Sequence, residues 1–146
     1  MKQELVKDWM SYDVTTVTPD TTLPEAHRLM SEKRIRRLPV LEDGRLVGIV
    51  TYGDIRGAEP SEATSLSIWE LNYLVSRLRV EEIMTREPLT TRPEATVGEA
   101  AQVMLKNKIS GLPVLTSDGK LVGIITESDI FRLVAHEWIR TTNNGQ

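Results

Sequence analysis

The sequence predicts an α/β protein in which one β-α-β-β-α unit is used twice. Three observations predict it. The chain matches itself at an offset of 74 residues, which becomes 75 after an extra residue near Ser117. Within each copy the apolar residues pass from helical spacing to the short β-branched runs of strands. Each copy also carries an Asp-Gly pair between two such runs, Asp43-Gly44 and Asp118-Gly119, which marks a tight β-hairpin.

The elements follow in order. Each copy is led by a V-x-x-x-M segment, Val6 and Met10 in the first and Val80 and Met84 in the second. A short extended stretch comes next, "VTTVT" and "PLTT". Then a helix opens on a capping box, Thr22 with Glu25 and Thr96 with Glu99. Leu23, Ala26, Leu29 and Met30 lie near one face of the first helix, and Val97, Ala100, Val103 and Met104 near one face of the second. The hairpin strands are "LPVL" with "LVGI" in both copies, and the last strand runs through T-x-x-D into a closing helix.

This organisation places a first repeat at 1–57, a linker with a connecting helix at 58–79, a second repeat at 80–140 and a disordered polar tail at 141–146. The connecting helix is predicted from the Ser67/Glu70 capping box and the stripe Leu71, Leu74, Val75 and Leu78, expected to cover a sheet edge or a subunit contact. Its polar approach contains Pro60 and two serines. One copy of about 55 residues buries little apolar surface alone. The two are therefore expected to pack their sheets together about a pseudo-twofold axis.

Composition narrows the function. Of 146 residues, 40% are hydrophobic and 27% charged, which suits a globular protein. No apolar run approaches the roughly 18 residues that span a bilayer, and "MKQELVKDWM" lacks a secretory core. A cytoplasmic protein without a membrane partner is the expectation. The chain has no cysteine, which excludes disulfides, thiolate metal sites and cysteine nucleophiles. A net charge of −3 makes nucleic acid an unlikely partner, despite the basic stretch "EKRIRR" at 32–37. His27 and His136 stand without carboxylates or histidines at metal spacing, so no metal site is expected. Trp9, Trp69 and Trp138 read as packing residues. No phosphate-binding loop, nucleophile elbow or zinc signature occurs.

The paired phrases "LPVLEDGRLVGIVTYGDI" and "LPVLTSDGKLVGIITESDI", each led by V-x-x-x-M, resemble a tandem pair of CBS domains, together a Bateman module. The resemblance covers roughly residues 6–57 and 80–140. The linker phrase "ATSLSIWELNYLVSRLRV" further resembles the acetoin-utilisation-type branch. What the family implies is regulatory sensing rather than catalysis. Such pairs typically bind AMP, ADP or ATP, and some bind S-adenosylmethionine, in clefts between the two repeats. Chains of this kind usually form homodimers shaped as a flat disc of four repeats, and can act on a regulated protein partner. The alternatives are a ligand-free interaction scaffold and, third, a nucleic-acid binder acting through "EKRIRR".

The candidate site follows from the same motif. Thr51 and Asp54, with Thr126 and Asp129, stand at strand-to-helix junctions. As a bare capping motif each pair is worth about 1 kcal/mol and needs no ligand. The same carboxylate could instead accept the two hydroxyls of a ribose, beside a helix start suited to phosphate. Gly53 and Ser128 are small enough to let a ligand approach the backbone, and Glu127 either touches it or faces water. In the matched family these threonines and aspartates contact ribose and phosphate. The family also implies a phosphate-binding cation and an adenine-contacting apolar residue just before "LPV". Arg36 and Arg37 fit the first role, with Lys108 either a further candidate or a solvated surface residue, and Ile35 and Ile109 fit either the second role or the core. Ser110 and Gly111 complete the set in the second repeat. Family precedent suggests composite sites, in which Thr51, Asp54, Arg36 and Arg37 face Ile109 and Gly111, and Thr126, Ser128 and Asp129 face Ile35 and Arg37. With two cations against one, the Asp54 site is expected to bind more tightly.

Overall fold

The computed structural model describes residues 3–58 and 67–144. The polar approach read at 58–66, with Pro60 and its serines, lies outside the described residues from 59 onward. In chain order the elements are α1 (Val6–Trp9), α2 (Leu23–Lys33), β1 (Arg37–Glu42), β2 (Arg45–Thr51), α3 (Tyr52–Gly57) and α4 (Ile68–Arg77). They continue as α5 (Val80–Ile83), β3 (Thr85–Arg86), α6 (Val97–Asn107), β4 (Gly111–Leu115), β5 (Leu121–Thr126) and α7 (Glu127–Asn144). The stretch 141–144, expected as part of a disordered polar tail, continues α7, and 145–146 lie outside the described residues.

These elements gather into two compact units that do not follow the sequence repeats. One is Thr15–Pro88; the other joins the segment up to Val14 to the chain from Leu89 onward. The leading segments are therefore exchanged. Val6 and Met10, which open the first repeat in sequence, are buried with Val97, Ala100, Met104, Leu112, Val114, Ile125 and Leu133 of the second. Val80, which opens the second, is buried with Val17, Leu23, Ala26, Met30, Leu38, Val40, Val50 and Ile55 of the first, and Met84 packs against that cluster.

Backbone hydrogen bonds hold each exchanged segment. Val6 N donates to Ala95 O at 2.8 Å, Val97 N to Glu4 O at 2.8 Å, and Ser11 and Ile124 exchange both bonds at 2.9 and 3.0 Å. In the Thr15–Pro88 unit, Val80 N donates to Thr21 O at 2.8 Å, and β3 pairs antiparallel with β2 at Gly48 and Ile49. Two glycines admit the methionines. A Cβ on Gly48 would lie 2.5 Å from Met84 Sδ, and one on Gly123 would lie 2.6 Å from Met10 Sδ. The glycine of each "LVGI" is thus the floor on which a methionine sits.

Both hairpins form, but only the first closes as a tight Asp-Gly turn; in the second, Thr116–Lys120 separate β4 from β5 and only Gly119 of the Asp-Gly pair has a positive φ. β1 pairs with β2 and β4 with β5, both antiparallel, with a register shift at Val40/Leu41 and again at Val114/Leu115. The two-residue turn between Glu42 and Arg45 places Asp43 at φ 52° and Gly44 at φ 78°, both in the left-handed region a type I′ turn requires. The "VTTVT" and "PLTT" stretches contribute one parallel bridge each, Val17 to Val40 and Thr91 to Val114. Pro39 and Pro113 meet these stretches with their carbonyls, which accept from Val17 N and Thr91 N. The missing proline N–H groups are not needed there.

Local signals placed the helices well. Thr22 accepts from Glu25 N and Ser67 from Glu70 N, while Thr96 and Glu99 form a complete capping box. Both α2 and α6 end on a left-handed residue, Arg34 and Lys108. On α4, which packs against α2, Leu71 and Val75 are half-buried, but Leu74 is 51% exposed beside Trp69 and Tyr73. The predicted stripe is thus split between an inner and an outer face. No helix among the described residues is long and apolar enough to cross a membrane.

Candidate functional site

The hairpin in each unit brings the residues before "LPV" to the T-x-x-D junction. In the Thr15–Pro88 unit, Arg37 opens β1 directly opposite Thr51, the last residue of β2. Tyr52 N then donates to Arg36 O at 2.7 Å. In the other unit, Gly111 opposes Thr126, and Glu127 N donates to Ser110 O at 3.1 Å. The antiparallel register alone dictates this meeting, because the first residue of a hairpin must face the last.

At the first corner Thr51 and Asp54 form the capping box that their spacing allows. Thr51 Oγ1 accepts from Asp54 N at 3.1 Å, and Asp54 Oδ2 accepts from Thr51 N at 2.9 Å. Asp54 is half-buried. The Tyr52 ring stacks on His27, with centroids 6.0 Å apart at 28°, and the Arg36 guanidinium stands 5.6 Å from its centroid. Arg36 is exposed, and its guanidinium N–H groups have no acceptor among the described residues. Arg37 is half-buried and engaged. Ile35 packs partly buried against the core. Gly53 is exposed, and a Cβ there would meet only Thr51 Oγ1, at an ordinary 3.6 Å.

The second corner is built differently. Thr126 N donates to Asp129 Oδ2 at 2.8 Å, and the Thr126 hydroxyl donates to the same oxygen at 3.4 Å. Arg132 Nη2 reaches Asp129 Oδ1 at 2.7 Å. Asp129 is buried, at 1% exposure, whereas Ser128 and Glu127 are exposed. Lys108 is exposed at its left-handed helix cap. Ile109 packs partly buried against the core, and Ser110 is half-buried and engaged.

The residues named from sequence thus fall into two clusters, one per unit: Ile35, Arg36, Arg37, Thr51, Gly53 and Asp54, and Lys108 through Gly111 with Thr126, Ser128 and Asp129. Three neighbours escaped the sequence reading. His27 and Tyr52 meet only through the fold. Arg132 was legible in principle, since a cation three residues after an acid on a helix shares its face.

Other chemistry is sparse among the described residues. No group of three or more histidine, aspartate or glutamate side chains could hold a metal ion. Two carboxyl groups sit below the ordinary carboxylate range, Asp20 because the Thr18 hydroxyl donates to it and Asp118 because the Thr116 hydroxyl does. Both lie in exposed turns. An open depression lined by Trp69, Glu70, Tyr73 and Leu74 lies on α4 and includes no residue of either corner.

Comparison with known proteins places these corners in context. Among curated relatives, the inosine-5′-monophosphate dehydrogenase of Korarchaeum cryptofilum is 37% identical over 134 residues, which is 92% of this chain but 25% of the enzyme. Protein MJ1225 of Methanocaldococcus jannaschii is 33% identical over 141 residues, and the chain spans 48% of it. The chain therefore covers a quarter to a half of the length of these relatives. Several solved structures match over nearly their whole length. The CBS domain pair of MJ0100, in complex with 5′-methylthioadenosine and S-adenosyl-L-methionine, is 33% identical with a TM-score of 0.78, covering 93% of this chain and 99% of that one. CBSX2 from Arabidopsis thaliana in complex with AMP is 31% identical with a TM-score of 0.77, covering 91% and 97%. A Vibrio cholerae protein assigned to acetoin utilization (AcuB) is 30% identical with a TM-score of 0.77, covering 99% of both chains. The CBS domain model matches residues 6–61 and 80–136, so the chain belongs to the CBS domain family and carries two copies of its repeat.

Proposed function

We propose that this chain is a regulatory module that senses an adenine nucleotide, AMP, ADP or ATP, through its T-x-x-D corners. The supporting observation is the pair of aspartates, Asp54 and Asp129, each held by its own threonine beside the strand that begins at "LPV". A carboxylate fixed in this way can accept paired hydroxyls without losing rotamer freedom on binding. In this reading Thr51, Gly53 and Asp54 act with Ile35, Arg36 and Arg37 in the first repeat. Thr126, Ser128 and Asp129 act with Lys108, Ile109, Ser110 and Gly111 in the second. Arg36 is the foremost phosphate ligand, since a guanidinium grips phosphate in two places and its donors have no acceptor among the described residues. Similar proteins bound to AMP and to S-adenosylmethionine support an adenosyl ligand over other diols.

Two further readings have an observation each. S-adenosylmethionine as the ligand is favoured by the likeness to MJ0100. A ligand-free scaffold is favoured by the complete capping box of Thr51 and Asp54, which satisfies itself within the chain. Isothermal calorimetry with AMP, ADP, ATP and S-adenosylmethionine decides among them. Heat with a nucleotide is expected, and silence with all four would favour the scaffold.

The module is also proposed to be a homodimer acting on a protein partner. Phe131, Val134, Trp138 and Ile139 on α7 are 48–74% exposed, an apolar stripe of the kind that marks an interface. Light scattering at micromolar concentration is expected to give twice the chain mass of 16.5 kDa. A monomer would refute it.

A further inference from the structure

Asp54 and Asp129 occupy the same place in their repeats, but the residue three positions on differs. Gly57 follows Asp54, and Arg132 follows Asp129. Residues three apart on a helix share a face, and Arg132 uses that proximity, with Nη2 2.7 Å from Asp129 Oδ1. The other oxygen already accepts from Thr126 N and the Thr126 hydroxyl. Both carboxylate oxygens are therefore engaged within the chain, on a side chain only 2% exposed. At the first corner, Asp54 Oδ2 accepts from Thr51 N, and no described residue donates to Oδ1. Gly57 has no side chain to offer, and the space where one would begin is open.

We propose that Arg132 is a specificity-determining residue that competes with ligand hydroxyls for Asp129, so that the second corner is the guarded site and the first the open one. The inference rests on the reading of these aspartates as hydroxyl acceptors. A guanidinium is a charged donor and a ribose hydroxyl a neutral one, so a ligand that displaces Arg132 exchanges a charge-assisted bond for a weaker one. The exchange is feasible because the Arg132 side chain is 59% exposed and can turn into solvent without any backbone movement. At the first corner no described residue competes with a ligand for Asp54 Oδ1.

Calorimetry of the full chain with adenosine tests this, because adenosine carries the hydroxyls and no phosphate. In an Asp54→Ala background, where only the second corner remains, Arg132→Ala is expected to raise adenosine affinity about two- to fivefold, the factor an ion pair with one solvent-exposed partner can withhold. Adding Asp129→Ala is expected to abolish that gain. The converse change, Gly57→Arg in an Asp129→Ala background, is expected to weaken adenosine binding by a similar factor. A purely structural ion pair would lower the melting temperature in Arg132→Ala and leave affinity unraised, which overturns the proposal. So does a Gly57→Arg protein that binds as before. If the Asp54-dependent event is present in the unmodified chain while Arg132→Ala changes nothing, this inference alone fails. Adenosine silence in every variant overturns it, while heat with AMP, ADP or ATP would leave the nucleotide-sensing reading standing.

Discussion

Gly123→Ala tests whether the leading segment is anchored on the hairpin of the second repeat. The new Cβ would lie 2.6 Å from Met10 Sδ, 3.1 Å from Met10 Cε and 2.9 Å from the Ser11 carbonyl oxygen. Non-bonded heavy atoms settle at about 3.5–4.0 Å, so the sulfur must retreat by about 1 Å. Met10 is only 7% exposed, and the Ser11 carbonyl is tied to Ile124 N at 3.0 Å. Neither can give way freely. Overpacking of this kind costs about 1–3 kcal/mol, while alanine returns about 0.4–1 kcal/mol by restricting the unfolded chain. A net loss of about 1–2 kcal/mol is expected from urea titration. Amide exchange should locate it, with Ser11 and Val97 losing protection because their bonds to Ile124 and Glu4 hold the segment. Combining the change with Met10→Ala should cost less than the sum of the two, by about 0.5 kcal/mol or more. Gly53→Ala, whose Cβ meets only Thr51 Oγ1 at 3.6 Å, serves as the control and should be near neutral. Wild-type stability in Gly123→Ala, or strict additivity in the double variant, would refute the anchoring.

Three other outcomes are expected. Asp54→Ala should abolish the stronger nucleotide-binding event and Asp129→Ala should spare it; losing a charged hydrogen-bond partner costs about 1.5–3 kcal/mol, roughly ten- to a hundredfold in affinity, and calorimetry showing the reverse order would overturn the assignment. Nucleotide should raise the melting temperature, since a ligand at 100 times its dissociation constant adds about 2.7 kcal/mol; an unchanged midpoint in millimolar AMP and ATP would contradict it. Thr116→Ala should let the Asp118 carboxyl rise toward its ordinary value of 3.8, followed by NMR titration. Because the folded value is depressed, its contribution to stability is complete above that range and fades as pH falls through the folded value, so variant and parent should converge in acid. An Asp118 titration that does not move would remove the hydroxyl as the cause.

The candidate site was legible to the extent that it lies on local motifs. Thr51, Asp54, Thr126 and Asp129 stand at strand-to-helix junctions because T-x-x-D is a capping signal, and the register of a two-stranded hairpin then brings Ile35–Arg37 and Ile109–Gly111 beside them. Their inequality was only half legible. Sequence pointed to the cations before "LPV", whereas the geometry adds Arg132 on Asp129 and the His27–Tyr52–Arg36 stack. The stack draws on α2, β1's approach and α3, which no local spacing relates.

The amino-acid sequence by itself determined the repeat, the helices and their caps, the first Asp-Gly turn and the family. All of these depend on interactions within a few residues or on a pattern that recurs, and such signals survive without a three-dimensional context. Only the tertiary structure decided where each leading segment belongs. Val6 and Met10 carry no mark that ties them to Gly123 rather than to Gly48, because both repeats offer the same apolar groove and the same glycine floor. The choice is made by long-range pairing, Ser11 with Ile124 and Thr85 with Ile49, whose partners lie far along the chain and leave no periodic trace in it.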